Sequence, residues 1–144
     1  MRIYLDVCSF NRPFDDQSQI RIRLETEAKL RIQEEVRSAN IQLVWSYILD
    51  YENSKNPYQE RKVRIADWKA HATLDVQENA KLLEIANALR KEGISKIDCL
   101  HIACAIVAEC EYFITTDDRI LRCSDRVDTI KIVDPILFLK ECNL

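Results

Sequence analysis

The chain has 144 residues, 47% hydrophobic and 31% charged, with a net charge of −3 and a single glycine, Gly93. That length suits one domain with its own core, here 1–144, and one glycine excludes a P-loop, a GxGxxG turn, a GxSxG elbow or a collagen repeat. No apolar run approaches the roughly 20 residues that span a bilayer, and Met1–Asp6 lacks a signal-peptide stretch, so the protein is read as cytoplasmic and free of membrane. The acidic balance argues against holding nucleic acid by counterion release alone; any such substrate is expected to be bound locally or through a metal.

Arg2–Val7 is an apolar run ending in an acid, expected as a buried first strand. Ser9–Gln19 is polar and contains Pro13, so a loop follows. From Ile20 to Val36 apolar residues recur four apart (Ile20, Leu24, Ala28, Ile32, Val36) with Leu30 beside them, which predicts an amphipathic helix. Ile41–Trp45 is the second strand, and Ser46 caps a short helix Tyr47–Asn53. Asn56-Pro57 starts a helix to about Ala70, and another spans about Val76–Arg90, stopping near Gly93. Ser95 caps an unusually apolar helix, Lys96–Glu109. Tyr112–Thr115 is a strand, Asp118–Cys123 a short helix, Thr129–Val133 a strand, and Asp134-Pro135 opens the last helix. Alternation of this kind predicts an α/β fold with three layers, helices on both sides of a parallel sheet of about four to five strands.

Six cysteines include no CxxC pair, which leaves out the usual zinc and redox spacings. Cys99 and Cys104 lie in an Ala/Ile/Val-rich stretch and are read as small hydrophobes. With two histidines there is no HExxH site.

Acids occupy the informative places. Asp6 ends the first strand and Asp117 follows the Tyr112–Thr115 strand, and ligands of open parallel sheets bind beyond the strands' carboxyl ends. Asp98 stands in the first turn of the apolar helix, where the helix dipole favours its charge but burial demands a partner. Glu52, on the short helix after the second strand, can face the same crevice. Taken singly, each is as well explained as a cap or a surface residue. Together they would repel and raise one another's pKa, unless a hard divalent cation such as Mg²⁺ or Mn²⁺, which prefers oxygen ligands, held them. Such an ion supports in-line attack on phosphate. An aspartyl-phosphate enzyme at Asp6 would want a second Asp two residues on, where Cys8 stands.

These acids and their settings resemble the PIN domain family. The resemblance rests on Tyr-Leu-Asp6, on Ser46 six residues before Glu52, on Ile97-Asp98-Cys99-Leu100-His101-Ile102-Ala103-Cys104-Ala105, and on Phe113-Ile114-Thr115-Thr116-Asp117-Asp118. It implies a Mg²⁺- or Mn²⁺-dependent ribonuclease, with the toxin of a VapBC-type toxin–antitoxin pair as one form of it, a possible antitoxin partner and a homodimer. It also implies metal ligation by Asp6, Glu52, Asp98 and Asp117, support from Thr115 and Ser46, and Asp118 as an extra carboxylate or a helix cap. Cys8 departs from the Ser, Thr or Asn frequent two residues after the first Asp; Ser9 and Asn11 are the possible substitutes. A PIN-fold module that binds RNA or protein without turnover is the alternative.

Further residues are weighed between a role in the site and a structural one. His101, one turn after Asp98, contacts substrate or orients Asp98, or is a satisfied core-edge histidine. Arg12 clamps phosphate or is a surface arginine, and Asn11 lies in the same loop. Trp45 and Trp68 are read as packing rather than base stacking.

Overall fold

The computed structural model describes residues 1–144. Five strands form one wholly parallel sheet: β1 (Arg2–Leu5), β2 (Gln42–Ser46), β3 (Ala72–Val76), β4 (Tyr112–Ile114) and β5 (Lys131–Val133), in the order β3-β2-β1-β4-β5. Eight helices accompany them: α1 (Val7–Asn11), α2 (Ile20–Arg37), α3 (Tyr47–Ser54), α4 (Gln59–Asp67), α5 (Ala80–Arg90), α6 (Lys96–Val107), α7 (Asp118–Leu121) and α8 (Pro135–Cys142). The chain steps from β1 out to β3 and then returns past β1 to β4 and β5. α5 packs on α6, and the C-terminal α8, after β5, returns to pack on α2 of the first half. The reversal makes the gap between β1 and β4 the switch point, where the strand ends leave a crevice.

The central strands are buried on both faces, as helices on either side require. Tyr4, Leu43, Trp45 and Phe113 are fully enclosed, and the Tyr4 and Phe113 rings stack at 5.3 Å. Cys99 and Cys104 are buried among these apolar groups, and all six cysteines are free.

Several boundaries differ from the sequence reading. The polar loop after Asp6 begins instead with α1 and a 3-10 turn, Arg12–Phe14, because the Asp6 carboxylate caps the Val7 N–H at 2.8 Å. β3 is an added strand. It was hidden because it is an edge, and its middle residues are exposed, so no apolar run marks it. The helix expected from Val76 therefore starts later, at Ala80, with the Asn79 side chain accepting from Leu82 N. Gly93 does take the left-handed conformation, φ 85°, beyond α5.

On α2 the expected apolar stripe holds for Ala28, Ile32 and Val36 but not for Ile20 and Leu24, which are exposed. A strict four-residue repeat advances about 40° per step on a helix of 3.6 residues per turn, so Ile20 and Val36 cannot share a face. The side chains turned inward instead include Glu25, Lys29 and Gln33.

Candidate active site

Asp6 reaches the switch point because β1 ends there; its carboxylate is 4% exposed. Its Oδ1 accepts from Val7 N, and its Oδ2 accepts from the Thr115 hydroxyl at 2.8 Å and the Cys8 thiol at 3.3 Å. Thr115, directly after β4, is fully buried and its oxygen also accepts from Asp117 N at 3.0 Å. One hydroxyl thus ties the end of β1 to the loop that carries Asp117. Cys8, the departure noted in the sequence, makes the first-strand contact itself. Burial, and then the nearby Asp6 charge, push its thiol well above the usual range, so it stays a protonated donor. Ser9 donates to Ile114 O and Asn11 to Val7 O, so neither substitutes for it.

Glu52 enters from α3, which is set by the Ser46 side chain accepting from Leu49 N. Its carboxylate, 30% exposed, hydrogen-bonds His101 Nε2. His101 is fully buried on α6, with Nδ1 2.6 Å from the Tyr4 hydroxyl, which is 2.7 Å from Ser46 Oγ. One proton assignment satisfies every partner. Ser46 donates to Tyr4, Tyr4 donates to Nδ1, and the Nε2–H donates to the Glu52 carboxylate. His101 is therefore a group that orients Glu52. It has no contact with Asp98 among its hydrogen bonds, so the expectation that it orients Asp98 is replaced by Glu52.

One ligand atom from each of Asp6, Glu52 and His101 lies within 4.8 Å of the others. Asp98 stands partly buried in the first turn of α6, accepting from the Ser95 hydroxyl at 2.6 Å. Its pKa is raised, chiefly by burial and further by the charges of Asp6 and Asp117, against the lowering effects of Ser95 and His101. Asp117 caps α7 and is paired with Arg119 at 3.2 Å. The geometry gathers Asp6 and Glu52 tightly, with Asp98 and Asp117 close enough to feel the same field.

Other expected residues are employed elsewhere. Arg12 is held by Glu25 at 3.0 Å through Nε and by Asp15 at 3.1 Å through Nη1, so two acids already counter its charge. Asp118 is exposed and bound by both nitrogens of Arg21, which hold its carboxyl below the usual range; Asp117, not Asp118, caps the helix. Asn11 lines a groove of about 400 Å³ beside Glu52, shared with Lys55, Tyr58 and Arg61. Tyr4 and Arg119 were not singled out in the sequence. Tyr4 had a legible signal, since it stands two residues before Asp6 on the same side of a strand; Arg119 had none.

At the mouth of a doubly wound parallel sheet, the buried Asp6, the half-buried Glu52 and the buried His101 bring together ligand atoms that could hold a metal ion. The sequence model of the PIN domain matches residues 3–125, and the chain belongs to that family. In structure it is similar to a chain of VapBC2 from Rickettsia felis, a complex crystallised with a DNA fragment from their promoter. The TM-score is 0.58 at 16% identity, covering 92% of this chain and 97% of that one. No curated protein sequence matches it significantly.

Proposed function

We propose that this protein is a metal-dependent endoribonuclease that hydrolyses RNA phosphodiester bonds. The observation that carries the reading is the convergence of Asp6 and Glu52 at the β1–β4 switch point, with Asp98 and Asp117 in the same field. Asp6, Glu52, Asp98 and Asp117 would hold Mg²⁺ or Mn²⁺ through oxygen, directly or by way of water. A bound ion of this kind activates water and offsets charge at phosphorus.

The chain's own residues supply the preorganisation. Thr115, Cys8 and Val7 N–H fix both oxygens of Asp6, and the Ser46–Tyr4–His101 chain fixes Glu52. Asp117 would exchange Arg119 for the ion. Held in this way, the acids need little rearrangement when charge develops, which is where electrostatic catalysis gains most. The groove beside Glu52, lined by Lys55 and Tyr58, would supply a cation and a ring for the RNA strand.

PIN-family membership and the likeness to VapBC2 support placing it as the toxin of a VapBC-type pair, with an antitoxin protein as partner. A homodimer would cover the exposed Ile20 and Leu24 of α2. Six free cysteines suit a reducing compartment such as the cytoplasm, and no helix is long and apolar enough to cross a membrane. The test is Mn²⁺-dependent cleavage of a mixed single-stranded RNA pool by wild type, Asp6→Asn and Asp98→Asn. Cleavage that needs the ion and is lost in both variants supports the reading. A folded wild type that binds Mn²⁺ without cutting would instead make it a binding module.

A further inference from the structure

A second cavity, of about 350 Å³, lies between α2 and α4 and shares no residue with the carboxylate site. Its floor holds a buried amide nitrogen without a hydrogen-bond partner and an ammonium without a protein partner. Lys29 is 3% exposed, makes no ion pair, and sits 5.3 Å from the Phe10 ring centroid and 5.8 Å from that of Trp68. Gln33, one turn on and on the same helix face, is also 3% exposed, and its Nε2 has no hydrogen-bond partner. Two guanidinium groups lie at the same cavity: Arg37, 4.8 Å from the Trp68 ring, and Arg64, which also pairs with the exposed Glu60. One acid, Asp67, is present in the lining.

Buried donors left unpaired cost about 1–3 kcal/mol each, and a buried ammonium ordinarily carries a counter-charge. The rings give Lys29 some compensation through cation–π attraction. It is incomplete: burial, and then the charge of Arg37, push the ammonium down to about 7. An anion would satisfy all of these groups together. Their N–H groups outnumber what the two oxygens of a carboxylate can accept and suit the three terminal oxygens of a phosphate. The volume is that of a small-ligand pocket.

We propose that this cavity is a phosphate-recognising site that takes a small phosphate ester, its phosphate on Lys29 and Gln33. The assignment does not rest on the nuclease reading. It is tested by calorimetry on the full chain in EDTA, so that no ion can bridge a nucleotide to the carboxylates. The probes are AMP, inorganic phosphate, adenosine and benzoate, with wild type, Lys29→Met and Gln33→Leu.

Saturable binding of AMP and of phosphate, none of adenosine, and a loss of at least about tenfold in both variants is the expected result. Lys29→Met removes a buried charge and keeps its volume, so it should fold; circular dichroism confirms this, and Gln33→Leu is the second arm. Benzoate binding more tightly than AMP would make an acidic protein side chain the occupant and overturn the phosphate. Absence of heat with every probe, or equal affinities in wild type and both variants, would overturn the site.

Discussion

At the carboxyl ends of the strands, Asp6 and Glu52 meet donors: a backbone N–H, a hydroxyl, a thiol and an imidazole. Between α2 and α4, Lys29 is buried against two rings and Gln33 Nε2 against nothing. The first region is built from four separate stretches of chain that only the sheet topology brings together. The second is built mainly on one helix face and the helix opposite. The difference lies in what each region still lacks. The acids are held in place but share excess negative charge, which calls for a cation; the lysine and amide have unused donors, which call for an anion.

Removing an acid should break the first half of that contrast most severely. Asp6→Asn and Asp98→Asn are each expected to lower Mn²⁺-dependent RNA cleavage by about 10³-fold or more, as loss of several kcal/mol of metal-borne stabilisation implies. Initial rates at saturating Mn²⁺ check it, and a surviving rate in either variant removes that acid from the site. His101→Gln, which disconnects Glu52 from Tyr4, should weaken Mn²⁺ binding by about 10–100-fold, the usual effect of removing a group that orients a ligand. Titration calorimetry reads this without activity. Affinity equal to wild type would show that Glu52 needs no such support.

The second half is sharpened by pH. Lys29 has a folded pKa depressed to about 7 from an ordinary 10.5, so between those values the unfolded chain binds the proton and the folded chain does not. Stability therefore rises with pH across that window, and the penalty is fully present below it. The charged neighbours at the cavity are Arg37, Arg64, Asp67 and His71. Lys29→Met is expected to raise Tm by about 5 °C at pH 7, the gain shrinking toward pH 10; a gain that does not change with pH would show that Lys29 keeps its proton in the fold. The smallest effect belongs to Asp118→Asn. Its pair with Arg21 is exposed, and such pairs contribute little, so cleavage and Tm should both stay at wild-type values. A loss of cleavage would put Asp118 back in the site.

The parallel sheet was legible because β1, β2 and β4 are apolar runs followed by capped helices, and Ser46, Ser95 and Asp134 do cap α3, α6 and α8. β3 was not, since an exposed edge leaves no hydrophobic signature. Asp6, Glu52, Asp98 and Asp117 stood out by their positions relative to those elements. Their connections did not. The hydroxyl that Thr115 shares between Asp6 and Asp117 N, and the path from Ser46 through Tyr4 to His101, depend on register between strands far apart in sequence. Arg12 shows the reverse case: its charge suggested phosphate, and tertiary partners claimed it. The buried Lys29 was concealed by helical drift, which turned polar residues inward along α2.

The central claim is that the four acids form one cation site that supports RNA cleavage. Mn²⁺ titration of the wild type, followed by single-stranded RNA cleavage with the same preparation, tests it most directly. Saturable Mn²⁺ binding that vanishes in Asp6→Asn, together with cleavage that requires the ion, is the predicted result. A folded wild type that neither binds Mn²⁺ nor cuts RNA would contradict it.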